Sequence, residues 1–460
     1  MRATRTVCIC MALAGTGLLS QGTVTAPMTI SQAVDRATRN FPSIQTSGEQ
    51  VNAAIAQIRL ARTNYLPSIN TLGQINRATR NNIFGLLLPQ AVIPNISGPV
   101  LGTNNGTTVW GSAAGVLVSW EPFDFGRRHA FVQSAEATRN RAEFAAKREQ
   151  LGVAKATAAA FLTLLASELT VRAAQSAVDR AQVLMRSVGA LVNAQLRPGA
   201  DLSRASSELD AAETQLIQSQ ESVDVARAAL MEYTGVNVKS AEVAPASLLQ
   251  LPPDALAINI DVAANPAVQE QNAVIEESKA RLRILERTYR PTFNLQLAGS
   301  ARGTGALVNG GTLGGWNGLA PTFFNVAAGF TVDFSVLASP AIHAQEAQES
   351  AIERSESAKL RQTIVELQAQ QNAARASWTQ ARRIAAETPN EVQDARVGFE
   401  QANAQYRSGL ATIIAVAEAQ RILAQAEIDD SLAWLAVWRV LLQLQSAERD
   451  ITSFLAEASK

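Results

Sequence analysis

The stretch from Gly126 to Pro198 constrains the fold more than any other part of the chain. It contains no internal proline and only two glycines, Gly152 and Gly189, and the rest is rich in helix formers. As one helix of about 70 residues it would measure roughly 100 Å, against about a dozen residues for an average globular helix. Such a helix does not belong to an ordinary compact core. It spans a distance, or it stands beside helices of similar length.

Apolar residues inside this stretch recur in alternating steps of three and four, which is the pattern of a coiled-coil seam. They are Val171, Ala174, Val178, Ala181, Met185, Val188 and Val192. A turn at 197–201 leads to a return helix that ends near Gly235. A second long helix is predicted at 340–407, followed by a turn at 406–411 and its own return helix. Its seam consists of Leu360, Ile364, Leu367, Gln371, Ala374, Trp378 and Ala381.

The chain contains an internal duplication. Tyr65 and Pro67 close a helix in the first half, and Tyr289 and Pro291 close the corresponding helix in the second half. Each half then reads strand, glycine-rich loop, strand, long helix, turn and helix, which indicates two copies of one structural repeat. The predicted segments are a first repeat, a proline-containing linker and a second repeat, at 27–240, 241–257 and 258–460.

Two short segments in each repeat alternate apolar and polar residues, which predicts strands with one apolar face. The four strands are placed at about 67–80, 108–124, 291–302 and 322–336. Apolar faces that carry aromatic residues are typical of lipid-facing barrel strands, and a small soluble sheet is the alternative. Aromatic residues near the strand ends favour the membrane interpretation, because they suit an aromatic girdle; these are Trp110, Trp120, Phe123 and Phe125.

Four strands are too few to close a barrel, since about eight is the smallest number seen. An open sheet edge in a bilayer is unfavourable, because each backbone N–H or C=O group without a hydrogen bond costs several kcal/mol there, about as much as burying an amide without a hydrogen-bond partner. Other copies of the chain must therefore complete the sheet. Three copies would supply twelve strands.

The N-terminus reads as a signal peptide at 1–26. Arg2 and Arg5 precede an apolar run from Val7 to Leu19, which is too short to cross a membrane as a helix. Both cysteines of the chain, Cys8 and Cys10, lie in this segment, so the mature protein is expected to be cysteine-free. We expect no later run to be apolar enough for a membrane helix. An exported chain of this kind is periplasmic, secreted or in an outer membrane.

The charges and histidines exclude several classes of function. Lys+Arg and Asp+Glu both number 40, and this zero net charge argues against a nucleic-acid partner, whose binding needs excess positive charge. The two histidines, His129 and His343, have no neighbour at metal-ligand spacing. We therefore expect no enzymatic activity, no catalytic or metal site, and no cofactor.

In this order, the segments resemble the TolC-like outer membrane efflux protein family over essentially the whole mature chain. The residues that carry the resemblance are the Pro67 and Pro291 junctions, the run Trp120–Arg128, the closing Tyr233–Gly235 and the two turns. The resemblance implies a mainly α fold with transmembrane β: a homotrimer whose chains share a twelve-stranded β-barrel in the Gram-negative outer membrane. The long antiparallel helices of the duplicated repeat would form a trimeric α-barrel that crosses the periplasm.

The function implied by the resemblance is a passive exit duct of a tripartite efflux system. The duct would be coupled to a periplasmic adaptor (membrane fusion) protein and to an inner-membrane pump of the RND, MFS or ABC type. The helix turns would form the periplasmic tip, where both turn glycines are expected to adopt positive φ. The adaptor-contacting residues would be Pro198, Gly199, Ala200, Asp201, Ser408, Gly409, Leu410 and Ala411.

The resemblance also implies a pore constriction at the tip. Counted from Gly409, its two acidic positions fall on Ala415 and Glu418, so one ring is absent and the other is glutamate. A Glu418 ring would favour cations; a solvated helix residue is the alternative. Tyr406 matches a tyrosine that helps to close the tip, whereas Ala411 stands where an arginine is expected. Closure by apolar contacts is therefore also considered, through Leu410, Ile413 and Ile414.

Two other functions remain open at this stage. One is the outer-membrane component of type I protein secretion, which uses the same architecture for a polypeptide cargo. The other is an exported trimeric coiled-coil scaffold or adhesin stalk without transport. That second alternative accounts for the long helices but poorly for the strands with an apolar face.

Overall fold

The computed structural model describes residues 28–79, 106–236, 248, 250–253, 261–307, 311–334, 339–447 and 450–459. The predicted signal peptide and most of the predicted linker lie outside these residues. The described chain forms two compact units, and each unit draws on both repeats. The helical unit comprises the described residues within 28–45, 149–265 and 367–459. The sheet unit comprises those within 46–148 and 266–366.

The helices follow the expected order along the chain. Two short helices, α1 (Ile30–Asn40) and α2 (Pro42–Thr63), are separated at Phe41, directly before the proline. The Thr29 and Gln32 side chains form a capping box at the start of α1. The remaining helices are α3 (Arg127–Asn193), α4 (Gly199–Thr234), α5 (Pro266–Thr288), α6 (Ser339–Arg407), α7 (Ile413–Ser446) and α8 (Thr452–Ala458).

The predicted seams face the interior. In α3, the side chains of Ala174, Val178, Ala181 and Val188 are buried, and the other seam residues are half-buried. The α6 seam follows the same rule, with Trp378 the largest of its buried side chains. The helix α6 continues through Pro389, and the neighbouring Thr388 hydroxyl donates to Asp430 Oδ1 at 2.8 Å. Both long helices are therefore held by one apolar stripe each.

The core of the helical unit is built from α3, α7 and α8. Phe161, Leu162 and Leu165 of α3 are fully buried in the same cluster as Trp438 and Phe454. The Trp438 ring packs edge-on against Phe454 at 5.9 Å between ring centroids. Burying each such side chain contributes about 1.5–3 kcal/mol, so this cluster holds the middle of α3 against the C-terminal part of α7 and against α8.

Among the described residues, α3 contains one window long and apolar enough to cross a membrane by length and composition, with a mean hydropathy of 1.3. The expectation that no later run is so apolar is wrong on this measure. Half of the window is buried within the structure, and α3 supplies fully buried core residues. Packing against other helices therefore accounts for its apolar composition.

The sheet unit contains four strands in the order β1-β2-β3-β4, with every neighbouring pair antiparallel. They are β1 (Ser68–Thr79), β2 (Thr108–Phe123), β3 (Thr292–Thr304) and β4 (Phe323–Asp333). In the described part of the chain, β1 pairs only with β2 and β4 pairs only with β3. Both edges of the sheet are therefore open.

The register gives the sheet one apolar and one polar face. Ile69, Val118, Leu297 and Ala328 lie side by side in one row across the four strands. The next row on that face contains Trp120, Leu295 and Phe330. On the other face, Ser68, Ser119 and Gln296 align with Gly329. The apolar side chains of β4 are strongly exposed; Val326 is 84% exposed and Phe324 79% exposed.

Aromatic side chains occupy both ends of β2. Near its start, Trp110 stacks on Trp316 with 6.2 Å between ring centroids. Near its end, Phe123 and Phe125 pack edge-on at 4.6 Å, and Phe125 lies 6.0 Å from Phe293. Two aromatic groups at opposite ends of an apolar sheet face suit two membrane interfaces.

The passage from β2 into α3 is fixed by Asp124. Its carboxylate accepts hydrogen bonds from the backbone and side chain of Arg128, at 2.6 and 2.9 Å, and from the Gly126 N–H at 3.1 Å. Burial alone would raise the pKa of Asp124, but these hydrogen bonds outweigh it and hold the pKa below 3.8. The Arg128 guanidinium also lies 5.0 Å from the Tyr65 ring, so this junction ties two corners of the sheet unit together.

Candidate functional site: the helix turns

Two turns join the long helices to their return helices. In the first, the Leu196 N–H donates to the Leu191 carbonyl at 2.9 Å; in the second, the Leu410 N–H donates to the Gln405 carbonyl at 2.8 Å. Both bonds span the same number of residues and are those of a Schellman-type helix end. The two turns are thus equivalent in backbone structure.

The residue in the left-handed region differs between the turns. Gly409 has φ 84° in the second turn, as expected. In the first turn the equivalent residue is Gln195, with φ 64°, and Gly199 is instead the first residue of α4. The expectation of positive φ at Gly199 is therefore wrong. The left-handed residue is the one that ends α3, whereas Gly199 lies four residues later, where Pro198 is the N-cap of α4 and the backbone is already helical.

Tyr406 links the second turn to the first. Its side chain is 1% exposed, and its hydroxyl donates to Asp201 Oδ2 at 2.9 Å. Burial raises the pKa of Tyr406, and the hydrogen bond to Asp201 raises it further, to about 12. The hydroxyl therefore remains protonated at neutral pH and keeps donating to the carboxylate. Asp201 was predicted only as an adaptor contact, and its bond to Tyr406 was not foreseen.

Arg197 supplies the positive charge at this place. Its guanidinium lies 4.4 Å from the centroid of the Tyr406 ring, and it donates to the Tyr406 backbone carbonyl. An arginine was expected after the second turn, where Ala411 stands. The structure places one from the first turn instead, because the two hairpins meet here. Sequence spacing within one repeat gives no signal for a partner that comes from the other repeat.

An apolar cluster lies directly behind this polar group. Leu184 and Val188 of α3, Ala205 of α4 and Val416 of α7 pack with Tyr406 and Ile413 in one buried group. Of the apolar residues considered for closure, Ile413 belongs to this cluster and is 4% exposed. Leu410 and Ile414 are exposed in the single chain, so contacts with other molecules remain open to them.

The predicted constriction residues Ala415 and Glu418 lie on the exposed side of α7. Glu418 pairs with Arg421 one turn further along, through bonds of 2.5 and 3.2 Å. The hydrogen bond from Arg421 lowers the pKa of Glu418 below 4.5. The pairing of Arg421 with Glu418 was not predicted from the sequence, although a spacing of three residues is that of a helical ion pair.

The predicted adaptor-contacting residues come together at the turns, and most of their side chains are accessible. Asp201 and Ala411 are half-buried, and the other predicted contact residues are exposed. Among the described residues, no group of three or more His, Cys, Asp or Glu side chains could hold a metal ion.

Residues 33–236 match the family model described as outer membrane efflux protein. This stretch belongs to that family. The resemblance predicted from the sequence is confirmed, and the match coincides with most of the first repeat. A search of curated proteins finds no match to the chain.

Solved channels of this class have the same fold. A structure of CusC superimposes with a TM-score of 0.75 at 14% identity, covering 92% of this chain and 93% of that chain. VceC from Vibrio cholerae superimposes with a TM-score of 0.73 at 15% identity, covering 92% of this chain and 96% of VceC. The outer membrane channel CmeC from Campylobacter jejuni superimposes with a TM-score of 0.71 at 14% identity, covering 94% of this chain and 89% of CmeC. The predicted fold, mostly helical with a four-stranded antiparallel sheet in each chain, is confirmed.

Proposed function

We propose that three copies of this efflux-family chain form one exit duct through the outer membrane and the periplasm. The observation that carries this proposal is the four-stranded sheet, which has one apolar face and two open edges. Lipid does not hydrogen-bond to backbone groups, so a sheet in a bilayer must close on itself. Because neighbouring strands alternate in direction, β4 of one copy can pair antiparallel with β1 of the next and close a twelve-stranded barrel.

The apolar face then contacts lipid and the polar face lines the lumen. The long helices extend the duct into the periplasm, and the turns at 197–201 and 406–411 form its inner tip. A periplasmic adaptor binds the tip and connects it to an inner-membrane transporter, which supplies the energy. The chain itself acts passively in this scheme. Type I protein secretion would use the same parts with a polypeptide cargo.

The tip is the gate of the proposed duct. The Tyr406–Asp201 hydrogen bond and the Arg197 contact join the two hairpins of one copy. These contacts hold the second hairpin against the first and oppose its outward movement. Glu418 and Ala415 are proposed to line the narrowest point, with the Glu418 charge partly balanced by Arg421. Opening would require the Tyr406 contacts to break.

A matched pair of substitutions on β4 tests the assembly. Val326→Lys puts a charge on the apolar face, where it costs about 2–4 kcal/mol at the bilayer midplane. Asn325→Lys puts the same charge on the polar face of the neighbouring position. We expect Val326→Lys to abolish recovery of trimer from outer membranes, while Asn325→Lys assembles and conducts in planar bilayers.

The same pair separates the duct from a stalk without transport. Both β4 side chains are exposed in the single chain, so a water-soluble stalk would accept either lysine equally. Equal yields of the two variants in a water-soluble form, or a native protein of one-protomer mass in detergent, would refute the proposed duct.

A further inference from the structure

A cavity of about 440 Å³ lies between α3, α4 and α7 in the helical unit. Its volume falls in the range of small-molecule sites. Hydroxyl and amide groups dominate its lining, and no acidic side chain contributes to it; the polar lining includes Thr163, Ser167, Thr170, Gln215, Gln218 and Arg439. The cavity therefore offers one positive charge surrounded by neutral polar groups.

Arg439 has no counter-ion there. Its one hydrogen bond among the described residues is to the Thr163 hydroxyl oxygen, at 3.5 Å, and no described carboxylate lies within ion-pair distance. Burial lowers the pKa of Arg439, because the partly dry surroundings disfavour its charge. A half-buried cation without a counter-ion is unfavourable, and an anion in the cavity would relieve that cost.

The hydroxyl groups of the lining add a second requirement. Those of Thr163, Ser167 and Thr170 each donate to a backbone carbonyl one turn earlier in α3, at 2.9–3.0 Å. Their protons are thus occupied and their oxygens are left as acceptors. A complementary ligand must bring hydrogen-bond donors as well as a negative charge. Simple anions without O–H or N–H groups can accept from Arg439 and from the amide groups of Gln215 and Gln218, but they leave the hydroxyl oxygens of α3 without a donor.

We propose that this cavity binds small hydroxylated oxyanions. The carboxylate or phosphate of the ligand accepts from the Arg439 guanidinium, and its hydroxyl groups donate to the hydroxyl oxygens of α3. Charge-assisted hydrogen bonds of arginine to such groups are among the strongest in proteins. Binding at this site does not depend on conduction. A negative result for binding would therefore leave the proposed duct untouched, and a negative result for the duct would leave this site untouched.

The test compares two monocarboxylates that differ in their hydroxyl groups. Gluconate and propionate are titrated into the detergent-purified full chain by calorimetry, at matched ionic strength. Gluconate is expected to bind with a dissociation constant on the order of 1 mM, and propionate about tenfold more weakly. Arg439→Gln should weaken gluconate binding about tenfold or more, and Arg439→Lys should weaken it less, because lysine keeps the charge but loses the planar fork.

Arg186→Gln is the matched control, since it removes an exposed arginine from α3 roughly four turns from the cavity. This variant should bind gluconate as the unaltered chain does, and all three arginine variants should keep the native melting temperature within a few degrees. Equal affinities for gluconate and propionate would overturn the proposal. So would unchanged binding in Arg439→Gln, or an absence of binding in the assembled protein, which would indicate that a neighbouring copy fills the cavity.

Discussion

The first helix turn places Gln195 in the left-handed region, whereas the second places Gly409 there. The hydrogen bonds that close the two turns are equivalent, so the backbone demands the same conformation twice. Only the second turn meets that demand with the residue that adopts it without strain. In the first turn, Arg197 and Pro198 follow the left-handed residue. Arg197 contacts Tyr406, and Pro198 is the N-cap of α4. Duplicated turns therefore share a backbone while their side chains have different tasks.

Among changes at the turns, the largest effect is expected at the contact between them. Tyr406→Phe removes the hydroxyl that donates to Asp201 and leaves the carboxylate unpaired, which should cost about 1.5 kcal/mol of unfolding free energy in each copy. If this bond holds the tip closed, single-channel conductance in planar bilayers should rise. An unchanged conductance with a lowered melting temperature would leave the bond a structural role only.

The pH dependence of the same contact has a definite sign. The pKa of Tyr406 is raised from 10.0 to about 12, so its stabilising effect is complete below pH 10 and is lost as the pH rises toward 12. The melting temperature of the native chain should therefore fall more steeply between pH 10 and pH 12 than that of the Tyr406→Phe variant. Parallel curves for the two proteins would contradict the assignment.

Alanine at each turn glycine tests the difference in backbone. Gly409→Ala forces a side chain into the left-handed region and should cost about 1 kcal/mol. Gly199→Ala should stabilise by about 0.5 kcal/mol, because Gly199 is helical and an added Cβ meets no atom within 4 Å. Melting temperatures of the two variants should thus move in opposite directions. Destabilisation of similar size in both would restore the symmetric view of the turns.

Glycine at the strained position of the first turn tests the same point from the other side. Gln195→Gly relieves the left-handed strain, although glycine gains freedom in the unfolded chain, and we expect a net gain of about 0.5 kcal/mol. The variant Gln182→Gly is the control, since it places glycine inside α3 and should destabilise. A loss of stability in Gln195→Gly would mean that the Gln195 side chain makes contacts of its own in the assembly.

The smallest effect is expected at Glu418. Glu418→Gln should lower the cation preference of the channel only modestly, since Arg421 already balances part of the charge. Arg421→Gln should raise that preference by freeing the carboxylate. Because the hydrogen bond from Arg421 lowers the pKa of Glu418 below 4.5, the preference should persist at pH 4.5 and fade at lower pH. Reversal potentials in salt gradients measure the effects of Glu418→Gln, of Arg421→Gln and of low pH. Unchanged values would show that Glu418 does not line the constriction.

Much of this protein could be predicted from its sequence because the strongest signals are local and periodic. The stripe from Val171 to Val192 identified a long helix with one buried side, and the alternation at Phe324–Val332 identified a strand with an apolar face. Both patterns follow from the geometry of a single element and need no knowledge of its neighbours. The repeated order of such elements was then sufficient to indicate the family.

The tertiary structure decided what depends on contacts between the repeats. Each compact unit combines segments of both repeats. The pairing of Tyr406 with Asp201 and Arg197 joins the two turns, and the polar cavity at Arg439 joins three helices. The left-handed residue of the first turn, Gln195, was also not predicted. The end of α3 is set by hydrogen bonds over several residues, so a glycine near the turn does not by itself identify the left-handed position. Periodicity determines elements; only packing determines which side chains from distant elements meet.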